Sequence, residues 1–232
     1  MSNPYFRFKQ FTVYHDLCAM KVGVDGVLLG AWADCRNVNY ALDVGTGSGL
    51  IALMLVQRSE AFIHAIDIDE SACRQTEINF NNSPFRDRLS VECCDFSDFS
   101  TSVRYDLIVS NPPYFADSLK SPDKNRSLAR HNEHLPLDIL IEKSASLLSP
   151  QGKVALILPF DRWETAHSLA IENQLFLSRK TIVSSLQNQP PKRVLSEYSF
   201  INQSPTETAF YIGKTKQDYS DEYQALTEEF YL

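Results

Sequence analysis

Short apolar segments alternate with helical patterns along the middle of the chain. Five of these segments predict strands, at residues 40–44, 62–66, 89–93, 105–110 and 153–158. Between the strands, apolar residues recur at the spacing of one helical face, as in the helix predicted over Glu70–Asn81. A second stripe of this kind consists of Leu137, Leu140, Ile141, Ala145 and Leu148. This alternation predicts an α/β fold with a doubly wound parallel sheet and right-handed crossovers.

The pattern changes after residue 175, where strand-like segments follow one another with turn residues and no helix between them. These segments lie at residues 180–186, 194–201 and 208–213, and they predict an antiparallel edge on the sheet. Helical spacing returns in the tail at Tyr219, Tyr223, Leu226 and Phe230. We therefore expect a mostly parallel, seven-stranded sheet with an antiparallel C-terminal edge and a tail helix.

A length of 232 residues suits one domain with a full core. Three parts are expected to follow one another within it. Residues 1–39, with a helix predicted over 24–33, form an N-terminal cap. Residues 40–178 form a parallel βα core, and residues 179–232 form the antiparallel edge and the tail helix.

Composition narrows the classes of function that are open to the chain. With 22 Lys and Arg against 29 Asp and Glu, the net charge of −7 argues against a broadly basic surface for nucleic acid. The 5 cysteines have no metal-binding spacing, so we expect free thiols and no metal. No segment has the roughly twenty apolar residues of a membrane helix. These features predict a cytoplasmic protein with no membrane association, and no obligate protein partner is evident.

A glycine cluster follows the first predicted core strand. Gly45, Gly47 and Gly49 are three of only 8 glycines, and they predict a sharp turn from strand to helix. Open α/β sheets bind ligands at this end of their strands. The pattern GxGxG after Asp43 differs from the GxGxxG of dinucleotide sites. A carboxylate there would repel phosphate but suits an ammonium, which favours S-adenosylmethionine (SAM) over NAD. A tight turn without a ligand is the alternative for the glycines alone.

Two further acidic residues follow predicted strands. Asp67 ends the second core strand, where its carboxylate is placed to accept from both hydroxyls of a ribose. Asp95 follows the third, where it is placed to accept from an adenine amino group, with Phe96 against the ring. Acids at three strand ends favour a cofactor site over a turn that binds nothing.

The tetrapeptide Asn111-Pro112-Pro113-Tyr114 follows the predicted strand at 105–110. An amine conjugated to a ring or carbonyl is a poor nucleophile, because its lone pair is delocalised. We expect the Asn111 side-chain oxygen and the Pro112 carbonyl, which Pro113 fixes, to accept both N–H groups and localise that pair. Tyr114 would stack on the target, which is worth about 1–3 kcal/mol for a base. An ordinary turn is the alternative reading of the tetrapeptide alone.

These motifs resemble those of the class I SAM-dependent amino-N-methyltransferases, which have a Rossmann-like fold. The motifs lie at residues 43–49, 67, 95 and 111–114. More narrowly, residues 8–32 are similar to the bacterial tRNA1(Val) (adenine-37-N6)-methyltransferases, and the resemblance covers nearly the whole chain. It implies methylation of N6 of adenosine 37, next to the anticodon, in a valine tRNA, with SAM as the cofactor.

An RNA substrate is compatible with an acidic chain if Lys and Arg side chains are concentrated beside the site, because phosphate binding needs cations only where the RNA backbone lies. We call such a cluster the basic rim. The candidate RNA-binding residues are Lys120, Lys124, Arg126, Arg130, Lys192 and Arg193. Solvated loops that bind nothing are the alternative for these residues.

Three other functions are compatible with the motifs. Protein glutamine N5-methyltransferases use the same tetrapeptide, Asn111-Pro112-Pro113-Tyr114, which we call the clamp. They usually carry a helical domain before the glycine loop, which here begins at Gly45. Guanine-N2-methyltransferases of ribosomal RNA usually have Phe where Tyr114 stands. A non-catalytic SAM- or RNA-binding module would not need two acceptors aimed at an amine.

Overall fold

The structure is a computed structural model that describes residues 3–18, 20–113, 135–215 and 217–232. The strands of these ranges are β1 (Tyr5–Arg7), β2 (Thr12–Tyr14), β3 (Tyr40–Val44), β4 (Phe62–Asp67), β5 (Leu89–Cys93), β6 (Tyr105–Ser110), β7 (Leu148–Pro159), β8 (Phe176–Leu186), β9 (Pro191–Ser199) and β10 (Thr206–Gly213). The helices are α1 (Val24–Trp32), α2 (Leu50–Gln57), α3 (Glu70–Asn81), α4 (Leu137–Leu147), α5 (Trp163–Glu172) and α6 (Asp221–Thr227).

One large sheet organises the protein, in the strand order β10-β8-β9-β7-β6-β3-β4-β5. Strands β3 to β7 are parallel, and β9 runs antiparallel to both β7 and β8. The predicted mostly parallel sheet with an antiparallel C-terminal edge is therefore confirmed. The described sheet has eight strands rather than the seven expected, since all eight predicted strand segments join it. The last of them, β10, pairs with β8 in the parallel direction, which the predicted antiparallel edge did not include.

Alternate side chains of the central strands enter two separate cores. Ala41, Leu107 and Val109 face the core that α1 and α2 cover, whereas Leu42 and Ile108 face the core that α4 and α5 cover. All five side chains are fully buried, as expected for parallel strands with helices on both faces. This two-sided burial explains why the core strands are continuous apolar runs in the sequence.

The two ends of the chain pack against the same side of the sheet. Strands β1 and β2 form an antiparallel hairpin, and Phe8 and Phe11, which flank its turn, are buried. Tyr223 of α6 and Phe230 after it are buried in the same core, which explains the helical spacing seen in the tail.

The described ranges contain no helix that is long and apolar enough to cross a membrane. Within the same ranges, no group of His, Cys, Asp or Glu side chains is arranged to hold a metal ion. The 5 cysteines are free.

Candidate active site

The ends of three parallel strands are aligned at one edge of the sheet. Val44 of β3 pairs with Ile66 of β4 on one side and with Ser110 of β6 on the other. The residues that follow are Gly45, Asp67 and Asn111. Since neighbouring strands lie about 4.8 Å apart, Asp67 and Asn111 flank the start of the glycine loop.

The three glycines of the loop have different surroundings. All three have left-handed backbones, with φ of 71° at Gly45, 60° at Gly47 and 78° at Gly49. A Cβ on Gly45 or Gly47 would meet nothing within 4 Å, so space lies open beside these residues. A Cβ on Gly49 would lie 2.7 Å from the Phe80 ring, so this glycine also permits packing against α3. The first two glycines border space that a ligand can fill.

Asp43 is fully buried behind the loop. Its Oδ2 accepts hydrogen bonds from Thr46 Oγ1 at 2.7 Å and from the Ala52 N–H at 3.2 Å. Its Oδ1 is buried and has no hydrogen-bond partner. Burial raises the pKa of Asp43 to about 7. Asp43 therefore holds the loop and the first turn of α2, and a cation near the loop would stabilise its charged form.

Asp67 connects β4 to the glycine loop. Its Oδ2 accepts from the Gly47 N–H at 2.8 Å, and its Oδ1 accepts from the Asp69 N–H at 3.0 Å. Burial also raises the pKa of Asp67. Each carboxylate oxygen can accept more than one hydrogen bond, so Asp67 retains the capacity to bind hydroxyl groups while it holds the loop.

Asp95 and Phe96 follow β5, the strand next to β4. Asp95 is exposed, and its Oδ1 accepts from the Ser97 N–H at 2.8 Å. Phe96 is only 5% exposed, and its ring stacks on Phe99 with 6.4 Å between centroids. Phe96 is thus largely a core residue, and its contact with an adenine ring stays a prediction.

The tetrapeptide begins directly after β6. Ser110 Oγ donates to the Val44 carbonyl at 2.8 Å, which ties the start of the tetrapeptide to the strand that leads into the glycine loop. Asn111 is half-buried, Pro112 is buried and Pro113 is exposed. Tyr114 lies outside the described residues, so its stacking role stays a prediction, as do the acceptor roles of Asn111 and Pro112.

Buried polar side chains of α3 hold the loop, and they are absent from the sequence-based prediction. Asn79 Nδ2 donates to the carbonyls of Ser48 and Tyr14, both at 2.8 Å, and its Oδ1 accepts from the Tyr14 N–H at 2.9 Å. Thr76 Oγ1 donates to the Gly47 carbonyl at 2.9 Å. The signal was available, because polar residues on the apolar face of a predicted helix need buried partners.

The same helix holds the chain beyond the N-terminal hairpin. Gln75, which is 1% exposed, accepts from the Leu17 N–H at 3.0 Å. The negative charges of Asp67 and Asp69 contribute to the raised pKa of Cys18, although burial is its main cause. The segment after β2 therefore lies beside the end of β4.

The described members of the predicted basic rim are at the same edge of the sheet. Because β9 is antiparallel to β7, its first residues lie at the carboxyl end of β7, and Arg193 pairs with Pro159. Lys192 is exposed, whereas Arg193 forms an ion pair of 2.8 Å with Asp25 of α1. The other candidates, Lys120, Lys124, Arg126 and Arg130, lie outside the described residues.

Comparison with known proteins gives this site a context. Residues 27–159 match the family model described as methyltransferase small domain. The chain belongs to this family of methyltransferases.

Two relatives described as tRNA1(Val) (adenine(37)-N6)-methyltransferase are similar over their full lengths. That of Parabacteroides distasonis is 50% identical over 235 residues, which are 100% of this chain and 99% of the relative. That of Phocaeicola vulgatus is 49% identical over 232 residues, again 100% and 99% of the two chains. The resemblance noted in the sequence is thus confirmed.

Solved structures confirm the class I methyltransferase fold. An Agrobacterium tumefaciens protein described as a predicted O-methyltransferase aligns with a TM-score of 0.67 at 14% identity, over 89% of this chain and 96% of its own. The glycopeptide N-methyltransferase MtfA, in complex with SAM, aligns with a TM-score of 0.56 at 15% identity, over 78% and 90%. At such identities these structures bear on the fold alone.

Proposed function

We propose that the protein transfers a methyl group from SAM to N6 of adenosine 37, next to the anticodon, in a valine tRNA in the cytoplasm. The observation that carries the proposal is the alignment of an open glycine loop, the carboxylate of Asp67 and the Asn111-Pro112 pair on three adjacent strand ends. The choice of substrate is supported by 50% identity, over the full length, to a relative described as tRNA1(Val) (adenine(37)-N6)-methyltransferase.

The residues at this edge fit SAM. The open space beside Gly45 and Gly47 accommodates a ligand against the loop backbone. Asp67 is the acceptor for the ribose hydroxyls, and exposed Asp95 is the acceptor for the adenine amino group. Asp43 supplies negative charge behind the loop for the ammonium. When bound, SAM would supply a methyl group from its positively charged sulfur: the S–CH3 bond breaks as the N–C bond forms, and the sulfur keeps the electron pair and leaves as the neutral thioether of S-adenosylhomocysteine.

The amine acceptor is prepared by the clamp. The Asn111 side-chain oxygen and the Pro112 carbonyl accept the two N–H groups of N6, which localises the nitrogen lone pair for attack. Tyr114 stacks on the adenine and holds its plane. As the new N–C bond forms, the nitrogen becomes cationic and loses a proton readily, so no strong base is required. Positioning and the two fixed acceptors account for most of the acceleration.

The tRNA has to present its base out of the anticodon stack to reach this pocket. Exposed Lys192 supports phosphate binding at the same edge. Arg193, which is in an ion pair with Asp25, is a candidate for the same role, as are Lys120, Lys124, Arg126 and Arg130.

Replacement of Asn111 by Ala tests this function. We expect kcat on a valine tRNA transcript to fall by about 10²- to 10³-fold, as for the loss of one preorganised hydrogen-bonding group. The Kd for SAM should stay within about twofold of wild type, because Asn111 acts on the amine. Asn202→Ala, in an exposed loop, is the matched control and should retain wild-type kcat. Wild-type turnover in Asn111→Ala would contradict the mechanism.

A further inference from the structure

An aromatic side chain is exposed beside the proposed RNA-binding edge. Phe160 opens a short 3-10 turn, Phe160–Arg162, directly after β7. It is 44% exposed, although large apolar side chains of this sheet are mostly buried. The core does not require its ring at this position, and neither the clamp nor the cofactor site uses it.

Strand register puts Phe160 near the clamp. Leu156 of β7 pairs with Ser110 of β6, so Asn111 lies one residue beyond this pair and Phe160 lies four residues beyond it. If both chains continued in the extended direction, about 3.3 Å per residue and about 4.8 Å between strands would put the Cα atoms of Asn111 and Phe160 about 11 Å apart, and the 3-10 turn at Phe160 shortens this path. A nucleotide adjacent to a base held at Asn111 lies within this range.

The surroundings of Phe160 suit a nucleic acid, which combines negative phosphates with flat bases. The turn contacts β9, where Lys192 is exposed and adjoins Arg193, the partner of Pro159. The charge of Arg193 is balanced by its ion pair with Asp25, so Lys192 is the cation of β9 that faces solvent here. Asp161 is also exposed in this turn and opposes part of the positive charge. An aromatic face beside a solvated cation such as Lys192 is a common arrangement for binding unstacked bases.

We infer that Phe160 is a stacking residue for a nucleotide that flanks the target adenosine. The inference rests on the proposed function, because it requires an RNA whose target base has left its stack. Extrusion of the target base exposes a face of the neighbouring base. The Phe160 ring covers that face, and Lys192 lies beside it to contact the backbone.

Steady-state methylation of a valine tRNA transcript by Phe160→Ala tests the inference. We expect the KM for tRNA to rise by about 5- to 150-fold, the range for loss of one base–aromatic contact. The Kd for SAM and the melting temperature should match wild type. Phe160→Tyr, which keeps the ring, should restore the KM. Phe62→Ala is the control. Phe62 is also an exposed aromatic residue, at 53%, but it is the first residue of β4 and therefore lies at the edge of the sheet opposite the proposed site.

A KM for tRNA within twofold of wild type in Phe160→Ala would overturn the inference and leave the proposed function intact. An equal rise in Phe62→Ala would also overturn it, because the effect would then not depend on this edge. If the wild-type enzyme methylates no tRNA, the proposed function fails, and this inference fails with it.

Discussion

The carboxylate of Asp43 lies fully buried between the glycine loop and α2, with one oxygen hydrogen-bonded and the other without a partner. Desolvation disfavours its charged form, and its pKa of about 7 reflects this. A nearby cation favours the ionised form of a carboxyl group, so on the proposed function the ammonium of bound SAM would increase the charged fraction of Asp43. The sequence predicted the acid but not its burial, since burial depends on how α2 packs over the loop.

We predict that Asp43 makes stability depend on pH. Its pKa rises from 3.8 to about 7 on folding, so the protonated form is favoured in the folded state. The contribution of protonated Asp43 to the free energy of unfolding is complete below pH 3.8. This contribution is lost as the pH rises through about 7, by up to about 4 kcal/mol. Urea unfolding of wild type and Asp43→Asn from pH 4 to pH 8 measures this loss, which the variant should lack.

Asp87→Asn is the control for this measurement, because the Asp87 side chain is 93% exposed and should leave the wild-type pH dependence unchanged. Saturating SAM should reduce the difference between wild type and Asp43→Asn at pH 8, since a bound ammonium stabilises the charged carboxylate. Identical pH profiles for wild type and Asp43→Asn would show that Asp43 does not titrate as described.

At the scale of secondary structure, α3 joins three parts of the site. Its N-terminal end follows Asp67, and its buried face binds both the glycine loop and the segment after β2. Asn79 is the centre of this arrangement, because one amide side chain bonds the backbone of Ser48 and of Tyr14. We assign Asn79 as a positioning residue that fixes the loop for the cofactor.

Asn79→Ala should therefore weaken cofactor binding more than turnover. Loss of the bond to Ser48 loosens the loop, so we expect the KM for SAM to rise at least tenfold while kcat at saturating SAM stays within about threefold. Asn81→Ala, on the exposed face of the same helix, should behave as wild type. A fall in kcat with an unchanged KM for SAM would instead place Asn79 in the chemical step.

Most elements could be predicted because burial on both faces leaves continuous apolar runs in the sequence. Helix α5 was missed, since only Ala166 and Ala170 of its residues are buried and they form no clear apolar stripe. The edge strand β10 was recognised as a strand, but its parallel pairing with β8 was not expected. Pairing depends on the path of the connection between β9 and β10, which local pattern does not report.

At the scale of the whole molecule, the site depends on contacts between distant parts of the chain. Tyr14 is hydrogen-bonded to Asn79, which is 65 positions away in the sequence. Asp25 is hydrogen-bonded to Arg193, which is 168 positions away. A local pattern can indicate that a buried polar residue such as Asn79 needs a partner, but it does not name a partner so far away in sequence. The strand-end motifs could therefore be predicted, whereas the contacts that support them could not. The acidic chain, with a net charge of −7, carries Lys192 and Arg193 at the site edge, where an RNA would approach.

Site-specific methyl transfer tests the central claim most directly. Two valine tRNA transcripts, one with adenosine and one with guanosine at position 37, are incubated with the protein and methyl-labelled SAM. Digestion and nucleoside analysis then identify the product. We predict one N6-methyladenosine per molecule in the adenosine transcript and no label in the guanosine transcript. Label in another nucleoside, or equal label in both transcripts, would contradict the account.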